Sequence, residues 1–216
     1  MNKKRLFLGV LFMLSAGCSL FGMSSVEETS YDVLVKDNKI EIRRYKSYIV
    51  AKTTISGDFK KAQSQGFRIL ASYIFGKNKA QQKINMTAPV IQKSEGEEIS
   101  MTAPVLIAPA SKNQDTKSWV MTFTMPSKYT LENLPKPEDQ RVKIETVPSR
   151  LVAAYRFSGF WSESKNTKKY MELLDWLNKN KEYQAISIPM FAGYNPPWTL
   201  PFLRRNEILV DIKARD

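Results

Sequence analysis

Hydrophobic and polar positions along the chain form two similar blocks. The stretches IEIRRYKSYIVAKTTISGDF (40–59) and VKIETVPSRLVAAYRFSGFW (142–161) align over their whole length without a gap. In both, apolar residues alternate with polar ones, which is the pattern of strands that bury one face. Equivalent Ser-Gly pairs stand at 56–57 and 158–159. The repeat indicates a duplicated unit that begins with two strands.

After each block the apolar spacing changes to three or four residues, which predicts an amphipathic helix. The first helix is predicted from Phe59 to near Gly76, and the second around residues 170–177. Alternation returns after each helix. Further strands are predicted at 84–92, 98–107, 118–125, 185–193 and 206–212.

Each half therefore contains strand, strand, helix and further strands, too few to cover its own apolar face. We predict a single domain over residues 31–216. Its predicted fold is α+β, a pseudo-twofold antiparallel β-barrel of about eight strands flanked by two α-helices. A sheet curved in this way leaves an interior or a mouth that can hold a small ligand.

The pentapeptide MTAPV occurs twice, beginning at Met86 and at Met101. Pro89 and Pro104 lack the N–H that a strand ladder needs, so each is predicted at an edge or a bulge. A methionine thioether can serve as an axial ligand of haem iron, but methionine in an apolar strand more often fills core space. We interpret both copies as structural.

Two residue counts exclude whole classes of site. The chain has no histidine, which excludes Ser-His-Asp and Cys-His hydrolases, His-ligated zinc and His-ligated haem. It has one cysteine, which excludes an internal disulfide and a two-thiol redox site. With 43% hydrophobic residues, the chain still has ample material for a packed core.

The N-terminus has the pattern of a secretory leader. Residues 1–17 combine a basic start with an apolar run too short to span a bilayer. Small residues lead into Cys18 and resemble a bacterial lipobox, although Ser15 stands three residues before the cysteine. We predict a lipoprotein signal peptide at 1–17 and lipid attachment at Cys18. Ordinary cleavage and a retained anchor are the alternatives.

The segment that follows Cys18 is short, polar and without a sustained period, so residues 18–30 are predicted to tether the domain to the lipid. Ser19 lacks the acidic character that tends to retain a lipoprotein in the inner membrane. The predicted location is therefore the cell envelope, lipid-anchored at the outer membrane and facing the periplasm.

The net charge of the chain is +12, and three of the positive charges lie in the leader. The remaining basic residues are scattered without the aromatic interleaving of a nucleic-acid surface, so no nucleic-acid partner is predicted. We interpret them as a solvated surface facing anionic lipid head groups, some of which could attract an anionic ligand. The oligomeric state is not predicted.

Several motifs together resemble one family. They are MTAPV, WVMTFTMPSKYTLENLPKPEDQRV (119–142), FSGFW (157–161) and GYNPPWTLPFLRRNEI (193–208). In this combination the chain resembles the SOUL haem-binding family in its bacterial lipoprotein form, over about residues 31–212. The resemblance implies a pseudo-twofold β-barrel with two helices, which agrees with the repeat.

The resemblance also implies non-catalytic, non-covalent binding of haem or another tetrapyrrole, in an apolar groove beside the first helix. Ser64 and Ser72 stand where basic contacts to the ligand would align, so Arg68 or Lys77 would have to substitute. An aromatic loop around Tyr194 and Trp198 could border the ligand mouth or plug it. The candidate groove residues are Phe67, Leu70, Ala71, Ile74, Arg68, Lys77, Tyr194 and Trp198.

Two alternative functions accompany this interpretation. The helix residues could simply pack on the sheet, which would make the protein an envelope structural or interaction module without a small ligand. Related two-fold domains of the gyrase-inhibitor-like type include hydrolases, but no pair of carboxylates in this sequence indicates catalysis. Arg204, Arg205 and Glu207 precede the last strand, and we predict an ion pair or a cap that closes the barrel there, in preference to ligand contact.

Overall fold

The computed structural model describes residues 26–79, 96–111, 118–196 and 198–215. Two helices lie in these ranges, α1 (Phe59–Ile74) and α2 (Glu163–Asn180). Neither is long and apolar enough to cross a membrane. The strands are β1 (Glu27–Glu28), β2 (Tyr31–Asp37), β3 (Ile40–Tyr45), β4 (Tyr48–Ser56), β5 (Asn78–Lys79), β6 (Thr102–Ala103), β7 (Val105–Pro109), β8 (Ser118–Thr124), β9 (Lys136–Pro137), β10 (Lys143–Val147), β11 (Arg150–Phe157), β12 (Tyr183–Ala185), β13 (Met190–Gly193) and β14 (Asn206–Ala214).

One curled antiparallel sheet contains most of the strands in the described ranges. Its path is β10-β4-β8-β7-β13-β14-β11-β3-β2, and β12 also pairs with β14. Among the described strands, β10 and β2 at the two ends of this path each have one neighbour, and the sheet is a curled half-barrel with two helices. The predicted α+β class and antiparallel sheet are confirmed, with nine strands along the path where about eight were predicted.

The order of the strands is symmetric about the β7–β13 pair at its centre. In the first half, β7 and β8 follow α1, and β8 pairs with β4. In the second half, β13 and β14 follow α2, and β14 pairs with β11. The first strands are exchanged: β10 of the second half pairs with β4, and β3 of the first half pairs with β11. Because each half completes the sheet of the other, the halves form one structure.

Equivalent turns lead from this sheet into the two helices. Gly57 (φ 126°) and Gly159 (φ 107°) occupy the left-handed region that favours glycine. The side chain of Asp58 then accepts a hydrogen bond from Lys61 N and caps α1, while Ser162 caps α2 in the same way. The repeated Ser-Gly of the sequence therefore marks a repeated strand-to-helix turn.

The two faces of the sheet carry different clusters. Both helices pack on one face, and Gly66 of α1 lets the helix approach closely, since a Cβ there would lie 3.0 Å from the Cβ of Met121. The other face carries a smaller cluster that includes aromatic side chains. Its buried members are Tyr45, Ala103, Leu106, Val152, Ala154, Ala192, Tyr194 and Leu209.

Three details differ from the sequence-based expectations. The predicted strand at 98–107 is divided at Pro104, which lies between β6 and β7 and has no N–H to donate. The strand predicted at 185–193 is divided into β12 and β13. Strand β1 lies within the predicted tether and pairs with β6, so the fold includes residues before Tyr31.

The structure describes the second MTAPV copy but not the first. Met101, in the second copy, is partly buried and packs against the main core. Its interpretation as a packing residue is consistent with this position. Met86, Pro89 and the predicted strand 84–92 lie outside the described residues.

Candidate functional site

A shallow groove of about 390 Å³ runs along the outer face of α1. Phe67, Ala71 and Phe75 provide its apolar surface, and they follow one another at intervals of four residues, so they lie on one helix face. Phe67 also packs edge-on against Phe123, with the ring centroids 5.4 Å apart. This contact fixes the ring at the groove while part of it stays exposed.

Basic side chains border the groove. Arg68 and Lys77 are exposed and line both this groove and an adjoining, more polar cavity of about 610 Å³. Ser72 lies between the two cavities and lines both. Arg141, on the wall of the second cavity, is paired with Asp139 at 2.6 Å. Its hydrogen bonds lower the pKa of Asp139 to about 2. Glu138 lines the second cavity as well, so the basic charge beside the apolar strip is that of Arg68 and Lys77.

The structure brings together only part of the residue set predicted on α1. Phe67, Arg68 and Ala71 line the groove, as does Lys77 just beyond the helix. Leu70 and Ile74 do not line it, because they are fully buried in the main core. A helix turns about 100° per residue. Leu70 and Ile74, each next to a groove residue in the sequence, therefore face the sheet.

The remaining predicted residues lie elsewhere. Tyr194 is buried against the opposite face of the sheet, and Trp198 is exposed but does not line the groove. Cys18 lies outside the described residues. Phe75 was not predicted, although it continues the spacing of Phe67 and Ala71 and could have been found from that signal.

A second site, a buried ion-pair cluster, lies on the face of the sheet away from the helices. Glu207 is 0% exposed and Arg43 is 2% exposed. Arg43 donates to both carboxylate oxygens of Glu207, at 2.6 and 2.9 Å. Arg205 Nε and the hydroxyl of Tyr194 also donate to this carboxylate, at 3.0 and 2.7 Å. The predicted ion pair of Arg205 with Glu207 is confirmed.

Aromatic rings enclose the two cations. The guanidinium of Arg43 lies 4.4 Å from the ring centroid of Tyr31, and that of Arg205 lies 3.8 Å from that of Tyr194. Burial alone would raise the pKa of the Glu207 carboxyl, but the hydrogen bonds and charges of the two arginines outweigh it and hold this pKa below its usual range. The carboxylate therefore stays charged, and its oxygens are engaged by protein donors.

Comparison with known proteins shows the family of this chain. The profile of the family described as SOUL heme-binding protein matches residues 26–211. The chain belongs to this SOUL family. The match includes β1 and extends into β14, so it covers almost all of the described fold.

Curated relatives of this SOUL chain agree with the match. It is 31% identical over 169 residues to Heme-binding protein 2 of Homo sapiens. The aligned residues are 78% of this chain and 75% of that relative. It is 28% identical to Heme-binding protein 2 of Mus musculus, and the aligned residues are 82% of this chain and 80% of that relative. The similarity therefore spans most of both proteins.

Solved structures share the fold at low sequence identity. The EcmrR C-terminal domain superposes with a TM-score of 0.56 at 13% identity and covers 86% of this chain and 99% of that domain. A hydrolase from Listeria innocua superposes with a TM-score of 0.52 at 13% identity. The superposition covers 83% of this chain and 94% of the hydrolase chain. At such identities the likeness establishes the fold alone.

The SOUL chain offers no cluster of metal ligands within the described ranges. No group of three or more His, Cys, Asp or Glu side chains there could hold a metal ion. The α1 groove offers exposed ring surface and basic side chains instead. The groove, with its mixed apolar and basic lining, is therefore the better candidate for ligand binding, and the Glu207 cluster is structural.

The Glu207 cluster gives this SOUL protein a defined response to acid. Because the pKa of Glu207 is lower in the folded chain than its ordinary 4.5, its contribution to stability is complete above that value and declines as pH falls below it. We expect urea unfolding to show falling stability below this pH. The double variant Arg43→Met, Glu207→Leu lacks the pair, and we expect it to lose less stability over the same range. An equal acid loss in both proteins would contradict this origin.

Proposed function

We propose that this chain is a non-catalytic binding protein of the cell envelope that holds haem, another tetrapyrrole or a similar planar apolar ligand in the α1 groove. The observation that carries the proposal is the groove lining, in which Phe67 and Phe75 expose ring surface beside basic Arg68 and Lys77. Membership of the SOUL family and similarity to Heme-binding protein 2 support the same ligand class.

The groove residues fit a tetrapyrrole in two respects. The rings of Phe67 and Phe75, with Ala71 between them, suit a flat apolar macrocycle. Arg68 and Lys77 suit the anionic propionate groups at the edge of haem. When bound, haem would supply its redox-active iron, yet the chain has no imidazole to ligate it. We therefore propose binding by contact, without histidine coordination.

We propose a structural role for the buried carboxylate of Glu207, in keeping with a non-catalytic protein. An enzyme would need an acid, base or nucleophile that can reach a substrate. Glu207 accepts hydrogen bonds from Arg43, Arg205 and Tyr194 and is fully buried among them. A carboxylate held in this way stabilises the fold and has no access to a ligand.

The envelope location rests on the leader. Residues 1–17 and Cys18 carry the pattern of a lipoprotein signal, and Ser19 favours the outer membrane. We propose that the acylated Cys18 anchors the domain there, facing the periplasm. Acyl chains suffice for stable anchoring when more than one is attached. The mass of the protein extracted from membranes tests the proposed anchor directly. Cleavage before Cys18 removes residues 1–17 from this mass, and diacylation of Cys18 adds the mass of the acyl groups.

Haemin titration followed by absorbance tests the ligand. We expect saturable binding by the full chain and a Kd raised about tenfold or more in Phe67→Glu, because desolvating one carboxylate costs at least ~1.4 kcal/mol. Phe160→Glu is the matched control, since Phe160 is an exposed phenylalanine that does not line the groove. Equal Kd values for the two variants would contradict the site, and no saturation in the parent chain would contradict the ligand.

A further inference from the structure

Four large apolar side chains are exposed together at the end of the sheet where β14 begins. They belong to the loops at 157–161 and 194–206, and none of them lines the α1 groove. We call them the aromatic patch. Its members are Phe160 (66% exposed), Trp198 (76%), Leu200 (45%) and Phe202 (70%). Apolar side chains grouped in this way on a surface mark a contact with something outside the domain.

The two loops that carry the aromatic patch are held together. Gly159 N donates to Pro201 O at 2.7 Å, and the side chain of Asn206 donates to Gly159 O at 2.9 Å. Trp161 Nε1 in turn donates to the Asn206 side chain at 2.8 Å. These bonds join the backbones of the two loops, so the patch residues are carried on one connected part of the folded protein.

Basic side chains adjoin the same surface. The guanidinium of Arg204 lies 5.3 Å from the ring centroid of Phe160, and its Nε donates to Thr199 O. Lys165 Nζ donates to Ser158 O at 2.8 Å. Tryptophan and phenylalanine beside arginine and lysine are the composition of membrane-interface segments, where the rings enter the head-group region and the cations meet anionic lipids.

The chain enters the fold beside the aromatic patch. Glu28 accepts hydrogen bonds from Arg205, at 2.9 and 3.1 Å, and Arg205 directly follows the loop that carries Trp198 and Phe202. Residues 1–25 precede this point and include the basic and apolar leader and Cys18. A membrane anchor in that segment would hold this end of the sheet, and hence the patch, near the bilayer.

We propose that the aromatic patch rests on the surface of an anionic phospholipid bilayer and orients the domain there. The inference rests on the envelope location in the proposed function. A second copy of the chain is the less suitable occupant, because without the three leader charges the chain still carries a net charge of +9, which makes copies repel one another while it attracts anionic lipid.

The test places one fluorescent label at the patch. In a Cys18→Ser background the full chain has no other cysteine, so Leu200→Cys carries the only label, an environment-sensitive nitrobenzoxadiazole group. Ile186→Cys is the matched control, with an exposed apolar side chain (52%, against 45% for Leu200). Ile186 N bonds to Asp211 O, well along β14 from Asn206. Vesicles of phosphatidylethanolamine and phosphatidylglycerol are added to each labelled chain.

We expect a blue shift and quenching by doxyl-labelled lipid at position 200, and neither at position 186. Adding Trp198→Ser and Phe202→Ser should reduce the response at position 200. Equal responses at the two positions would overturn the proposal. A blue shift at position 200 that grows with protein concentration in the absence of vesicles would also overturn it, because it would indicate contact between copies of the chain. The labelled chains cannot be acylated at position 18, so this result is independent of lipid attachment and of haemin titration.

Discussion

Replacing Glu207 with alanine is expected to lower the free energy of unfolding by about 3–5 kcal/mol. The substitution leaves Arg43, which is 2% exposed, as a buried cation without its bidentate partner. It also removes the acceptor for Arg205 and the hydroxyl of Tyr194. Chemical denaturation of the full chain measures the loss, with the slope on denaturant checked to be unchanged.

Two variants bracket this prediction. Glu145→Ala removes an ion pair with Lys52 of equally short length, 2.6 Å, in which both side chains are partly exposed. It should cost less than about 1 kcal/mol. The double variant Arg43→Met, Glu207→Leu should recover part of the Glu207→Ala loss, because it also removes Arg43, a buried cation that would otherwise retain only its ion pair with Glu41. A loss in Glu207→Ala no larger than that in Glu145→Ala would show that the cluster does not stabilise the fold.

Replacing Ser72 with tryptophan is expected to raise the Kd for haemin by about tenfold or more, equivalent to ~1.4 kcal/mol. Ser72 lies between the apolar groove and the polar cavity and lines both. An indole at this position fills the space between Phe67 and Lys77 that we assign to the ligand. The side chain of Ser72 is partly exposed, so the larger residue need not disturb the core. Absorbance titration measures the change.

The control for this variant is Ser164→Trp. Ser164 is an exposed serine near the start of α2, so the same substitution is made on the other helix. We expect its haemin Kd to match that of the parent chain. If Ser72→Trp also binds haemin with the parent Kd, the ligand lies outside the α1 groove.

Much of the fold could be predicted because its signals are local. Alternation located β4 and β11, and the equivalent glycines Gly57 and Gly159 marked the turn before each helix. The exchange of β3 and β10 between the halves could not be predicted in this way. It depends on which strands pair across the sheet, and two halves with the same local pattern leave that choice open.

The candidate groove was predicted in part for a similar reason. Apolar spacing located helix α1, and the family resemblance implied a groove beside it, but the resemblance does not say which side of the helix faces solvent. The structure assigns Leu70 to the core and Phe75 to the groove, five residues on and about 140° away around the helix axis.

Arg43 was missed altogether. Within the strand IEIRRY it resembles an ordinary surface arginine, and its partner Glu207 lies 164 residues away. The pair of Arg205 with Glu207 was predicted because both residues lie two positions apart at the start of one strand. Buried charge is therefore recognisable from sequence when the partner is local, and needs the fold when it is distant.

Titration with protoporphyrin IX, which has no iron, tests the central claim that the α1 groove holds its ligand by contact and charge. If Phe67 and Phe75 support the ring while Arg68 and Lys77 meet the propionates, the metal adds little to the binding free energy. The predicted result is a protoporphyrin Kd within about threefold of the haemin Kd, a difference below ~1 kcal/mol. Saturable binding of haemin without binding of protoporphyrin IX would contradict the account, because it would mean that iron coordination carries the interaction.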